Sequence, residues 1–128
     1  MTFDWIHFIK LAEKLIEDEH NKDEAVYRTV ISRSYYGAHH RARQFLESHF
    51  ALQMDKTADD HGQVIRALKR YRNDQQLRRS GRELERLCDD RRRADYDDSV
   101  CVEKNVARAN LARANDIINT LLNWGRRP

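Results

Sequence analysis

The sequence predicts an all-α fold: an antiparallel bundle of four main helices plus a short one, forming a single domain over residues 1–128. One proline and four glycines are few breakers for a chain of this length. Apolar side chains recur at helical spacing, and the abundance of Arg, Glu, Leu and Ala favours helices over strands. A chain of this size buries roughly two thirds of its unfolded surface in one core.

The first two helices are predicted from apolar periodicity and a capping signal. The first is expected from about Asp4 to Glu19, where apolar residues recur every three or four positions. Asn21 as N-cap and Glu24 three residues later form a capping box that opens a long second helix, from about Lys22 to Phe50. Residues 51–60 have the composition of a loop.

Two further helices are expected in the middle of the chain. The third is expected to start near Asp59 or His61. The fourth follows Asn73-Asp74 and runs to Arg93, with Ser80-Gly81 as a candidate interruption.

The last helix is expected from about Val100 to Trp124, with Ser99 as its N-cap. Its apolar positions predict the inward face: Val102, Val106, Ala109, Ile117, Ile118, Leu121 and Leu122.

Charge and composition limit the classes of function. The chain has no apolar run long enough to span a membrane and no secretory leader pattern, and its two cysteines do not form a disulfide framework. A cytoplasmic location without membrane association is therefore expected. Residues 66–93 carry eleven basic and five acidic side chains, a net charge of +6. Such a segment attracts phosphates, or is a solvated face of paired charges.

The second predicted helix carries the most informative pattern. On a helical wheel, one side gathers the apolar residues Ile31, Tyr35, Ala38, Ala42, Phe45 and Leu46. The nearly opposite side gathers Arg33, Tyr36, Gly37 and His40, and the wheel places His39 at a flank, about 120° from Arg33. Gly37 indicates the close approach of a helix or a ligand, because glycine inside a helix costs about 1 kcal/mol relative to alanine.

Three segments together resemble small stand-alone HEPN domains (higher eukaryotes and prokaryotes nucleotide-binding). Residues 32–43, Ser-Arg-Ser-Tyr-Tyr-Gly-Ala-His-His-Arg-Ala-Arg, resemble the signature of that family's second helix. Residues 60–65, Asp-His-Gly-Gln-Val-Ile, and residues 91–97, Arg-Arg-Arg-Ala-Asp-Tyr-Asp, resemble two later elements of the family in the same order.

The resemblance implies a helical bundle that often forms a homodimer and that associates with RNA or nucleotides. Many members are metal-independent endoribonucleases, often toxins in toxin–antitoxin or phage-defence loci, with a catalytic Arg and His a few residues apart. Here Arg33 and His40 have six residues between them, and Arg33 and His39 have five. The Arg–His motif usually lies near the last helix, but residues 91–97 contain no histidine, so an active pair must come from the second helix.

This resemblance predicts a role for each candidate residue. Arg33 would bind the scissile phosphate and His40 would transfer protons at the ribose 2′-hydroxyl, with His39 as the flanking candidate. The candidates for contact with RNA or phosphate are Tyr36, His61, Arg91, Arg92 and Arg93. Asp95 and Tyr96, with Arg92, are candidates for a structural network between the fourth and second helices, and Tyr96 also for regulation by adenylylation.

Two other interpretations stay open. The chain is alternatively a non-catalytic HEPN module that binds RNA, a nucleotide or a partner protein, such as a minimal nucleotidyltransferase antitoxin. The other interpretation is a structural dimer subunit that buries the Arg33 face. No metal or cofactor is expected, because the histidines lack metal-ligand spacing and no glycine-rich phosphate loop occurs.

Overall fold

The computed structural model describes residues 2–20, 22–54 and 60–125, and in these the chain is an all-α bundle, as predicted. The described residues form five helices: α1 (Ile6–Glu17), α2 (Glu24–Phe50), α3 (Asp60–Lys69), α4 (Gln75–Tyr96) and α5 (Lys104–Leu122). The long α2 is central and packs against the other four, while α3 also lies on α4, and α5 also contacts α1 and α4.

The N-cap of α2 lies two residues after the position that the capping box predicts. Asp23 is the N-cap, and its side chain accepts a hydrogen bond from the Val26 amide. Asn21, the predicted cap, lies outside the described residues. Glu24 forms a 2.7 Å ion pair with Arg28.

The helix α4 is continuous through Ser80-Gly81, so the candidate interruption is wrong. A Cβ atom at Gly81 would lie 2.7 Å from Lys69 Cγ and 3.1 Å from Leu68 Cβ. The glycine therefore lets α3 and α4 cross closely, and packing offsets its low helix propensity.

The last helix begins at Lys104, later than the predicted Val100. Ser99 does not cap it, because the Ser99 amide and hydroxyl both bind the Asp97 carboxylate. The preceding segment is instead held by Arg28 of α2, whose guanidinium donates to four backbone carbonyls: Arg93, Ala94, Asp97 and Val100.

The predicted apolar face of α2 is confirmed, since all six of its residues are buried. The prediction for α5 is wrong at Val106, Ala109 and Leu122, which are exposed, because α5 packs its other positions against α2 and α1. Among the described residues, no helix is long and apolar enough to cross a membrane.

Candidate functional site

Three of the histidines meet at a cavity of about 280 Å³ between the start of α1, the middle of α2 and the start of α3. We call it the imidazole pocket, and it is lined by Trp5, Tyr36, His39, His40, Arg43, Asp60 and His61. The four α2 residues are three or four positions apart, so they share one side of the helix. The first turn of α3 brings Asp60 and His61 to the same place.

His39 forms the buried wall of the imidazole pocket. It is 1% exposed, and its Nε2 lies 3.0 Å from Asp60 Oδ2. Burial lowers the pKa of His39 to about 4, although the Asp60 carboxylate acts in the opposite direction. The other polar atoms of this pair, His39 Nδ1 and Asp60 Oδ1, are buried without a hydrogen-bond partner in the described residues. The predicted flank is thus an interior residue.

His40 is held between an aromatic ring and a guanidinium. Its ring stacks on Trp5 with centroids 3.6 Å apart and planes 16° from parallel. Its Nδ1 accepts a hydrogen bond from Arg43 Nη2 at 3.1 Å. A guanidinium can only donate, so this bond places the proton of the neutral ring on Nε2. Burial, with His39 and Arg43 nearby, lowers the pKa of His40 to about 4, and the ring is uncharged at neutral pH.

His61 is anchored to the core through one ring nitrogen. Its Nδ1 lies 2.5 Å from the hydroxyl of Tyr35, a side chain with no exposed surface. Burial and the Arg91 guanidinium lower the pKa of His61 below its ordinary value. Arg91 itself is 6% exposed, and its guanidinium lies 5.3 Å from the Tyr35 ring centroid and 5.6 Å from that of Tyr36.

Arg33 lies on the other side of Tyr36 from His40. Its guanidinium is 4.5 Å from the Phe8 ring centroid and 5.2 Å from that of Tyr36. The Tyr36 and His40 rings are 6.2 Å apart, so Tyr36 separates the predicted catalytic pair. No hydrogen bond joins Arg33 to His40 within the described chain, and Arg43 is the arginine bonded to His40.

The three late arginines do not share a surface. Arg91 is buried behind the tyrosines, whereas Arg92 and Arg93 are exposed and pair with Asp89 at 3.6 Å and Asp90 at 2.9 Å. The charges of Arg92 and Arg93 are therefore partly compensated by carboxylates on their own helix. Neither of them lines the imidazole pocket.

The predicted network between α4 and α2 is present with different members. Asp95 Oδ2 accepts a hydrogen bond from Ser32 at 3.3 Å and lies 3.9 Å from Arg91 Nη1. Arg92 is not part of it, and Tyr96 is 79% exposed. Arg91 takes the place predicted for Arg92, because the register of α4 turns Arg91 rather than Arg92 toward α2.

Gly37 is explained by helix packing. A Cβ atom there would lie 2.6 Å from Ile9 Cδ1 and 2.8 Å from Ile9 Cγ1, on the neighbouring α1. The close approach that the sequence indicated is that of a helix rather than a ligand.

Three pocket residues were not predicted from the sequence: Trp5, Arg43 and Asp60. Arg43 had a usable signal, because it follows His40 by three positions and Tyr36 by seven and so shares their side of the helix. Asp60 directly precedes His61 in the segment 60–65, which resembles an element of HEPN domains. Trp5 had no such signal, since only the packing of α1 on α2 brings it to His40.

Within the described residues, no group of three His, Cys, Asp or Glu side chains has the arrangement of a metal site. Comparison of the chain with family models, curated proteins and solved structures finds no match in any of the three. The HEPN resemblance therefore remains a prediction from the three sequence segments.

Proposed function

We propose that this protein is a metal-independent endoribonuclease that acts at the imidazole pocket. The observation that carries the proposal is the meeting of three imidazoles with the buried guanidinium of Arg43 at one open cavity. The lowered pKa values leave these imidazoles uncharged at neutral pH. RNA cleavage by its own 2′-hydroxyl requires a group that removes a proton, and an uncharged imidazole with a free ring nitrogen can do so. The resemblance to HEPN domains supports the same reaction class.

Arg43 and His40 are suited to bind the phosphodiester. Arg43 is 8% exposed, and its Nε is buried without an acceptor in the described part of the chain. Arg43 lines the imidazole pocket, and a guanidinium at a cavity forms charge-assisted hydrogen bonds to an anionic oxygen. His40 adds an Nε2–H donor, because Arg43 occupies its Nδ1. In this proposal Arg43 takes the phosphate-binding role that the sequence predicted for Arg33.

The test is cleavage of RNA by the purified protein in the presence of a chelator. Cleavage by 2′-hydroxyl attack yields a cyclic phosphate and a 5′-hydroxyl, and enzymatic end-labelling identifies both termini. We expect Arg43→Ala to lower kcat/KM by about 100-fold, in the range of other single transition-state donors. Arg33→Ala, measured beside it, decides which arginine binds the phosphate.

Arg108→Ala is the matched control, because Arg108 is exposed on α5 and does not line the imidazole pocket. Its activity is expected to stay within twofold of wild type. Failure of the wild-type protein to cleave any RNA under these conditions overturns the proposal. The predicted toxin role is tested separately, by expressing wild type and His40→Ala in cells and comparing growth.

A second candidate function is a non-catalytic module that binds RNA or a nucleotide. The observation that favours it is the bond from Arg43 to His40 Nδ1, which occupies the acceptor nitrogen of the residue predicted to transfer protons. This function predicts RNA binding with a steep dependence on salt and no product. Rapid turnover rejects it. A second copy of the chain and a nucleotidyltransferase antitoxin remain predicted partners. Measurement of the molecular mass in solution tests the first, and co-purification tests the second.

A further inference from the structure

The three imidazoles differ in the nitrogen that each can offer to a bound RNA. His39 is 1% exposed and its Nε2 is bound to Asp60, so that nitrogen is not free to contact a bound RNA. His40 offers a donor rather than an acceptor, because Arg43 occupies its Nδ1. His61 is only half-buried, and its Nε2 makes no hydrogen bond to the described residues.

The orientation of His61 follows from its bond to Tyr35. The Nδ1 of His61 points into the core at the Tyr35 hydroxyl, and the two nitrogens of an imidazole ring point in divergent directions. Its Nε2 is therefore directed away from the core, on a residue that lines the imidazole pocket.

We propose that His61 is the general base of the reaction and that Tyr35 is the residue that positions it. This inference rests on the proposed endoribonuclease function. It gives His61 the proton transfer that the sequence predicts for His40. His61 Nε2 removes the proton from the ribose 2′-hydroxyl. The 2′ oxygen forms a bond to phosphorus, and the bond from phosphorus to the 5′ oxygen breaks. The 5′ oxygen takes a proton from water, and the hydroxide formed recovers the proton held by His61.

This step needs one tautomer of His61. For His61 Nε2 to accept a proton, its Nδ1–H must donate to the Tyr35 oxygen. Burial raises the pKa of the Tyr35 hydroxyl, so the hydroxyl keeps its own proton and its oxygen remains a neutral acceptor. The Arg91 guanidinium, 3.9 Å from Cys88 Sγ and over the Tyr35 ring, completes the buried support.

The titration of His61 also depends on its charged and titratable neighbours. These come from α2, α3 and α4 and are Tyr35, Tyr36, His39, Asp60, Arg91 and Arg92. The arginines disfavour protonation of His61 and Asp60 favours it. The dependence of kcat on pH in His61 variants is therefore compared with that of wild type under the same conditions.

The experiment compares His61→Gln, Tyr35→Phe and the control Tyr71→Phe by steady-state cleavage across pH. Tyr71 is half-buried and packs on Phe50, without contact to any of the three imidazoles. We expect His61→Gln to lower kcat by about 100-fold with KM within threefold of wild type, since a base acts on the chemical step. Tyr35→Phe is expected to lower kcat severalfold and to move the acidic limb of the profile, whereas Tyr71→Phe leaves both unchanged.

A second measurement separates chemistry from folding. His61→Ala is assayed with and without added imidazole, because free imidazole can replace a missing base but cannot repair a damaged fold. Recovery of cleavage by imidazole supports the assignment. If wild type cleaves RNA while His61→Gln keeps its kcat within threefold, the His61 inference is overturned and the proposed function stands. If wild type does not cleave, both are overturned.

Discussion

Mild acid is expected to destabilise the protein through its buried histidines. The folded-state pKa of both His39 and His40 is about 4, against an ordinary value of 6.5. Between these two values the unfolded chain binds protons that the folded chain does not, so the free energy of unfolding falls as pH falls. The stabilisation is complete above pH 6.5 and is lost progressively toward pH 4.

The magnitude follows from the size of the two shifts. Lowering the pH from about 7.5 to about 5.5 protonates most of an unfolded histidine and little of a folded one with these pKa values, which costs about 1.3 kcal/mol for each such group. Because His40 is partly exposed and its charge is screened, we expect about 2 kcal/mol for the pair. Glu24 and Asp97 have lowered pKa values and titrate below this window.

The assay is urea unfolding followed by circular dichroism at the two pH values. His39→Gln removes one titrating group while its amide can still bind Asp60, so the pH-dependent loss is expected to shrink by about 1.3 kcal/mol. His20→Gln is the matched control, because the side chain of His20 is exposed. Equal stability of wild type at the two pH values refutes the reasoning. So does a His39→Gln protein whose pH dependence matches wild type.

Two further predictions concern packing around α2. Gly37→Ala is expected to lower the free energy of unfolding by about 1 kcal/mol net, because overpacking against Ile9 costs about 1–3 kcal/mol and alanine regains about 1 kcal/mol of helix propensity. Ile9→Val removes the Cδ1 atom nearest to the added Cβ, so the double variant Gly37→Ala/Ile9→Val is expected to be more stable than the sum of the two single effects. Thermal melts of the three variants measure this. A double variant no more stable than that sum contradicts the prediction. Arg28→Met is expected to cost about 2–3 kcal/mol in urea unfolding, because four carbonyls lose their donor. An Arg28→Met protein as stable as wild type would exclude that role.

Apolar periodicity was sufficient for the helices and for the buried face of α2. The ends of the helices depended on which nearby side chain binds the free backbone amides, and apolar periodicity does not contain that information. Asp23 caps α2, and Ser99 binds Asp97 instead of starting α5. The carbonyls that Arg28 binds belong to residues more than sixty positions away, and no local signal predicts such a bond.

The candidate site shows the same division. The sequence alone determined that Tyr36, His39, His40 and Arg43 lie within two turns of one helix, because helical geometry follows from local spacing. Tertiary packing decided how these side chains are used. The position of α1 stacks Trp5 on His40, the start of α3 pairs Asp60 with His39, and buried Tyr35 anchors His61.

The pairing of arginine and histidine depends on more than their spacing on the helical wheel. Arg33 and His40 share one line of α2, but Phe8 and Tyr36 draw the Arg33 guanidinium away, and Arg43 takes the place beside His40. A long side chain reaches in several directions, and the neighbours supplied by other helices select among them. The sequence thus determined the fold class and the side of α2 that contributes to the candidate site. Tertiary contacts brought Trp5, Asp60 and His61 to that side and decided which nitrogen of each imidazole is free of a hydrogen bond.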